Sequence, residues 1–558
     1  VKATTSKLPP TSIPSSIIPV ISNNKKWLIG ITCGPHGSPD IFTEESIQEF
    51  FDEEWKVHYN SNRFGVRLTG PKPKWARNDG GEGGLHPSNT HDYVYSVGAI
   101  NFTGDEPVII TCDGPSLGGF VCQGVIPEAE LWKIGQVKPG DTIKFAPISY
   151  NGARLLQETL DSAINSLQKS PSIKALSDLI LPSFENPVLA QLNYKNEFCP
   201  KITYRQAGDR YILIEYGDNV MNFNLSYRVH CLINMVKENQ TVGIVEMSQG
   251  VRSVLVEFDG YKITQDNLVA TLLAYENEIC FDSKWTIPSR IFKLPMAFED
   301  SKTLGCVTRY QETIRSSAPW LPNNVDFIAN VNDITRQDVY DMIYSASFMV
   351  LGLGDVFLGS PCAVPLDPRQ RFLGSKYNPS RTYTERGVVG LGGMYMCIYA
   401  ASSPGGYQLT GRTVPIWDKL SISNFGKEHP WMLSPFDRVQ FYPVSEDELE
   451  ILTEEAEAGK FIVEIEESVF DHGLYEEWLT QNEASIEAFR IRQEGERKEE
   501  FTQLIQNSNK DLSSSQANKI ETSEDEFPDN VKLIYSEYSG RFWKPMVSAG
   551  DTITEGQG

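Results

Sequence analysis

No C-x-x-C pair occurs in this 558-residue sequence, and its nine cysteines, at positions 33, 112, 122, 199, 231, 280, 306, 362 and 397, follow no regular spacing. An odd, scattered set signals neither a disulfide framework nor a zinc site, so the thiols read as core residues in a reducing compartment, and the expected location is the cytoplasm. Long apolar runs are missing as well. The uncharged apolar run at residues 342–354 is shorter than the ~20 residues of a membrane helix, and no membrane role is expected. Positive charge is short: 50 Lys and Arg against 73 Asp and Glu leave a formal net charge of -23, which repels phosphate backbones. With no compensating basic patch, nucleic acid is not an expected partner. Histidine is sparse; His36, His86 and His91 lie near prolines and glycines without ligand spacing, so no metal is expected in this part.

What is present is enough apolar material, 40% of the chain, to bury several cores, which at this length suggests about three or four domains. The Pro- and Ser-rich stretch over 1–20 reads as a linker. Residues 21–150 carry strand-type runs ("KKWLIGIT", "DYVYSVGAINF", "EPVIITCDG", "DTIKFAPI") between Gly-rich turns and read as a β-rich domain. Over 151–200, "ARLLQETLDSAINSLQKS" has helical period and reads as a connector. A second β-rich region spans 201–445 and opens on "YRQAGDRYILIEYGD", a hairpin about a Gly-Asp turn. Residues 446–530 turn acidic and helical, then too polar to fold, and read as a helical spacer with a flexible linker.

The two β-rich regions share a pattern. "GGFVCQG" at 118–124 and "GGYQLTG" at 405–411 both read Gly-Gly-aromatic-x-x-x-Gly, and each precedes a Pro-x-Asp strand opening, "PGDTIKF" at 139–145 and "PFDRVQF" at 435–441. This predicts two copies of one architecture, with the first copy lacking its front half. A double glycine in a strand suits a bulge, a barrel corner or the close approach of a ligand.

The ordered series "GITCGPHGSPDIF", "SNRFGVRLTGP", "GAINFTGDEPVIITCDGPSLGGF" and "VKPGDTIKF" resembles the second half of the domain shared by antagonists of sporulation-kinase inhibitors and by biotin-dependent urea carboxylases. "GDRYILIEYGD", "GIVEMSQGVRSVLVEFDG", "DVYDMIYSASFMVLGLGDVFLGSP" and "SPGGYQLTGRT" resemble the partner domain, of the kinase-inhibitor type. The terminal "YSEYSGRFWKPMVSAGDTITEGQG", within 531–558, is similar to the first half of a biotinyl carrier domain. The resemblance implies a mainly β fold with α elements: two cyclophilin-like β-barrels, a helical spacer and part of a carrier barrel. It further implies the carboxyltransferase part of a urea carboxylase or urea amidolyase, which forms allophanate from urea and carboxybiotin. The biotinylated lysine, in an Ala-Met-Lys motif, would then lie beyond Gly558. ATP and Mg would be used by a biotin carboxylase domain not in this chain, and an allophanate hydrolase is a further partner this family allows. Two alternatives stay open: a non-catalytic regulator of the kinase-inhibitor type, and a 5-oxoprolinase partner.

A site for urea needs acceptors for two NH2 groups, a donor for the carbonyl oxygen, and cations or backbone N–H groups for carboxylate oxygens. Asn101, in "VGAINFTG", stands where the related regulators carry glutamine and offers both donor and acceptor; Asp355, in "LGLGDVFLG", is a carboxylate in an apolar, Gly-rich run that needs a partner. These two are the candidate catalytic and urea-binding residues. Arg63 and Arg67, an even spacing apart in "SNRFGVRLTG", and Arg386, beside a glycine in "SRTYTERGVVG", are candidate substrate-binding cations, with Arg381 a similar case. Gly118, Gly119, Gly405 and Gly406 are candidates for contact with the cofactor. Asp113 reads as a turn-former.

Overall fold

The computed structural model describes residues 25–167, 176–193, 200–279 and 284–505, less 356, 358, 419, 421, 423–428 and 496–498. The expected linker over 1–20 and the carrier-like end over 531–558 lie outside the described residues.

Alternating residues build the first barrel. Trp27, Ile29 and Ile31 of the strand Lys26–Cys33 point inward together with Leu68, Ile100, Phe102, Ile109, Ile143 and Phe145. Helix Glu44–Asp52, capped by Thr43 Oγ1 accepting from the Ser46 N–H at 3.1 Å, covers one end with Ile47, Phe50 and Phe51, and Phe50 stacks on Phe145 at 5.1 Å. Seven strands close the ring in the order Lys26–Cys33, Cys122–Val125, Ala99–Thr103, Glu106–Ile110, Gly65–Thr69, Trp55–Val57, Thr142–Pro147. The last runs parallel to the first, with Trp27 opposite Ile143. No further front half is needed for closure.

The second barrel repeats the plan. Its order is Ile291–Phe298, Gln408–Thr413, Val388–Gly392, Tyr395–Ile398, Pro361–Pro365, Phe348–Leu353, Arg438–Pro443, and the last strand again returns parallel to the first, with Ile291 opposite Arg438. Both closing strands are the Pro-x-Asp segments seen as a repeat. Helices Asn324–Asn332 and Arg336–Ser345 pack Val325, Ile328, Val339 and Ile343 against this barrel.

Between the barrels stands a unit that composition did not separate from them. Strands Val188–Leu192, Ile202–Gln206, Tyr211–Tyr216, Ser253–Phe258 and Ile244–Gln249 form an antiparallel sheet, and helices Phe223–Asn239 and Gln265–Glu278 cover one face through Val229, Leu232, Leu268 and Leu272. The stretch read as uniformly β-rich from 201 thus begins with an α/β layer. The acidic segment after 445 also packs closely: Leu449 and Phe470 are buried, Glu464–Glu466 joins Ile291–Phe298, and Val469–Asp471 pairs with Thr286–Pro288. Acidic residues coat helices Glu446–Glu457 and His472–Glu494 and mask the few apolar positions that anchor them. Among the described residues, no helix is long and apolar enough to cross a membrane.

Candidate active site

The hairpin Asn89–Val94 with Leu117–Phe120 leaves the first barrel and reaches the second. Leu117 N–H donates to Gly354 O at 2.9 Å, Ser116 Oγ donates to the same oxygen at 3.2 Å, and Leu117 bridges to Asp355 in parallel. Gly354 sits at φ +113, where a side chain is strained and would in addition meet Ser116 Oγ. At this junction lies a pocket of about 720 Å³ including its mouth. It is lined by Asn101, Asp355, Arg67, Lys376, Tyr95, Phe120 and Tyr407, by Gly118 and Gly119 of one repeat, and by Gly405 and Gly406 of the other.

Asn101 reaches the pocket by strand alternation. Ile100 and Phe102 face the barrel core, so Asn101 faces out, and a bulge between Ile100 and Asn101 re-aims it. The residue is wholly buried, yet neither its Oδ1 nor its Nδ2 has a partner. Asp355 is 1% exposed and its Oδ2 is likewise unpaired. Each such buried orphan costs about 1–3 kcal/mol, so two facing one pocket mark a place where a ligand completes the hydrogen bonds. Burial, then the neighbouring Asp92, push the Asp355 carboxyl well above the usual carboxylate range, while Lys376 pulls the other way.

Behind this pair sits an ion pair between the barrels. Lys376 Nζ donates to Asp92 Oδ1 at 3.2 Å and the Tyr407 hydroxyl donates to Asp92 Oδ2 at 2.5 Å, all buried. The Lys376 ammonium lies 5.1 Å from the Phe120 ring and 5.2 Å from that of Tyr407, the two aromatics of the Gly-Gly repeats. A Cβ on Gly119 would run into Lys376 Nζ, Asp92 Oδ1 and Thr90 O; a Cβ on Gly118 would press the Tyr95 hydroxyl, and one on Gly405 that of Tyr399. Three of the four glycines therefore clear space for polar side chains. Asp92, Asp355 and Cys362 bring three donor atoms within 4.8 Å of one another. The Lys376 ammonium already occupies one oxygen of Asp92 in this group.

Of the other candidates, Arg67 enters the lining but is tied across the barrels, its Nη2 donating to Ser380 O at 3.0 Å and Ser380 Oγ at 2.9 Å; burial lowers its pKa. Arg63 stands outside, 71% exposed, pairing with Asp113 at 3.5 Å. Arg386 pairs with Glu457 in a separate groove beside Trp417. Arg381 is buried against the Tyr377 ring and donates to Tyr407 O at 2.6 Å. His91 contacts the Tyr395 hydroxyl and His36 accepts from Cys122 N–H at 3.2 Å, and burial drives both imidazoles down to about 3. His86 bonds Ser88 Oγ at 2.8 Å. Sequence reasoning missed Asp92, Lys376, Tyr95 and Tyr407. Tyr407 carried a signal as the aromatic of its repeat; Lys376 carried none.

Two closed barrels thus meet at a largely apolar pocket that holds a few buried polar groups. Residues 2–147 match the family described as carboxyltransferase domain, subdomain A and B, and residues 202–425 match carboxyltransferase domain, subdomain C and D. The chain belongs to this carboxyltransferase-domain family. It is 69% identical over 549 residues to a urea amidolyase of Saccharomyces cerevisiae and 68% identical over 549 residues to one of Lachancea kluyveri, in each case across 98% of this chain and 30% of the relative. The crystal structure of the Kluyveromyces lactis urea carboxylase matches with a TM-score of 0.91 at 63% identity, covering 100% of this chain and 49% of that one. The chain spans less than a third of the length of these curated relatives.

Proposed function

We propose that the chain is the carboxyltransferase part of a biotin-dependent urea carboxylase, a ligase that converts urea to allophanate. The observation that carries this is the pair of unsatisfied polar groups, Asn101 and Asp355 Oδ2, set in one otherwise apolar pocket. Urea is small, planar and neutral, with N–H donors on two sides and one acceptor. A carboxylate oxygen takes N–H bonds; the Asn101 amide gives one to the carbonyl oxygen and accepts another. The nitrogen lone pair of urea is delocalised into its carbonyl, so holding the molecule in one orientation and away from water accounts for much of the rate gain. Tyr95, Phe120, Leu117 and Tyr407 supply the dry walls.

Biotin, which the likeness implies, fits the residues present. Gly118, Gly119, Gly405 and Gly406 line the pocket without side chains, and Phe120 and Tyr407 stand beside them. When bound, the group would supply the carboxyl that urea receives. Lys376 is the buried ammonium nearest these glycines, and Arg67 Nη2 is engaged with Ser380. In this reading the rest of the carrier domain with its biotinylated lysine, the biotin carboxylase that uses ATP and Mg, and any allophanate hydrolase belong to further parts of a longer polypeptide.

Soaking urea into crystals of the intact protein tests the assignment. Density bridging Asn101 and Asp355 is the expected result. Urea found elsewhere, with that pocket unchanged, overturns it.

A further inference from the structure

Asp92 and Asp355 come from different barrels, yet a carboxyl oxygen of each lies within 4.8 Å of the other and of Cys362 Sγ, with all three residues buried. Two carboxylates this close and out of water do not both ionise, and one proton is held between them. The surroundings decide which carboxyl keeps it. Asp92 has an ammonium on one oxygen at 3.2 Å and a hydroxyl on the other at 2.5 Å. Asp355 shares the Tyr407 hydroxyl and the neighbouring Asp92 carboxyl, but has no ammonium of its own, and its Oδ2 has no partner. The other titratable groups facing it are Cys362 from the strand Pro361–Pro365, Cys397 from Tyr395–Ile398, whose Sγ donates to Asp355 O at 3.4 Å, Tyr399, Tyr407, and Tyr95 from the first barrel. Burial and the nearby carboxylates hold Cys362, Cys397, Tyr407 and Tyr95 in their protonated, neutral forms. Lys376 is therefore the cation of the cluster, and Asp92 already offsets its charge.

Resting on the urea reading above, we infer that Asp355 is neutral in the free protein, that binding of a diamide expels its proton to solvent, and that Asp92 is the positioning residue that keeps the proton there until then. The step balances: the Asp355 O–H bond breaks, the proton passes to water or buffer, and urea N–H groups take over the carboxylate oxygens. A protonated Asp355 keeps one acceptor oxygen but turns its O–H against a second N–H donor of urea, so the neutral form binds urea less tightly than the carboxylate. Urea affinity then rises with pH by about tenfold per unit over the range in which Asp355 is protonated in the free protein. A lone buried carboxylate bound by Lys376 would show no such dependence.

Titration calorimetry with urea, run on the intact chain at pH 7 in buffers of different ionisation enthalpy, tests this. The expected result is release of close to one proton per urea bound. In Asp92→Asn the amide still accepts from Tyr407, but its charge no longer opposes ionisation of Asp355, and Lys376 favours it; urea should bind with no proton released and with an affinity that is flat in pH. Tyr407→Phe, which frees one Asp92 oxygen to hold the proton itself, should release less than the wild type. Heat that does not depend on the buffer in the wild type, or full proton release retained in Asp92→Asn, overturns the proposal while leaving urea as the ligand. No heat with urea in any buffer at any pH overturns the urea reading itself.

Discussion

The Asn101 amide and the Asp355 Oδ2 are unusual because each is kept buried without a partner, which folding alone disfavours. In Asp355→Ala the carboxylate proposed to receive urea N–H groups is gone, and urea-dependent carboxyl transfer in the complete enzyme should fall by roughly a hundredfold or more, with ATP-dependent carboxylation of biotin unchanged. Retained transfer would remove Asp355 from the site. Asn101→Ala loses one or two hydrogen bonds of about 1–3 kcal/mol and should raise KM for urea by roughly 5- to 150-fold. The same change deletes an orphaned amide from the free protein, so the variant should melt at or above the wild-type temperature. A lower melting point together with unaltered KM would instead mean a structural asparagine. Both residues were legible in the sequence as polar letters inside apolar runs. Asp92 and Lys376 were not, because each stands among polar neighbours and their pairing spans 284 residues of chain, which only the fold brings together.

The Gly-Gly-aromatic repeat was legible as a shared strand motif, but not the different work its glycines do. A Cβ at position 119 meets the Lys376 ammonium, the Asp92 carboxylate and the Thr90 carbonyl, and the last is backbone that cannot swing away. At position 406 the nearest atoms are a Phe120 ring carbon at 3.4 Å and Lys376 Cβ at 3.5 Å, ordinary contact. Gly119→Ala should therefore cost about 1–3 kcal/mol of stability and lose most carboxyl transfer, whereas Gly406→Ala should stay near wild type in both. Thermal melting and the transfer assay on the pair decide the matter. Equal losses would mean that the motif acts through backbone shape and not through the ion pair it makes room for.

At the scale of the whole molecule, the twin barrels could be anticipated because a repeated closing strand marks each of them, while the α/β layer between them could not. Its strands share their composition with those of the barrels, and its helix Gln265–Glu278 has apolar residues on nearly every side, so no amphipathic stripe announces it. That layer is fixed to the site by its backbone, Val251 N–H donating to Asp92 O at 2.9 Å, so any loosening of it moves the carboxylate that neighbours Asp355. Glu215 is central to its hold: Arg205 Nε donates to it at 2.6 Å and Arg252 Nη2 at 2.7 Å, and Arg205 also reaches Asp40 of the first barrel at 4.0 Å. Burial alone would raise the Glu215 carboxyl, but Arg252 and Arg205 more than offset it and bring it from 4.5 down to about 2. A carboxyl depressed on folding stabilises the native state fully above its unfolded value and loses that contribution as pH falls through the folded one. The window is thus pH 4.5 to about 2, and the contribution lost across it is on the order of 3 kcal/mol. Glu215→Gln should be less stable at neutral pH and show a flatter acid limb in urea-free guanidinium melts over that window. If its acid limb instead runs parallel to that of the wild type, the arginines are not what holds the layer against the barrel, and the coupling from Glu215 through Val251 to Asp92 fails with them.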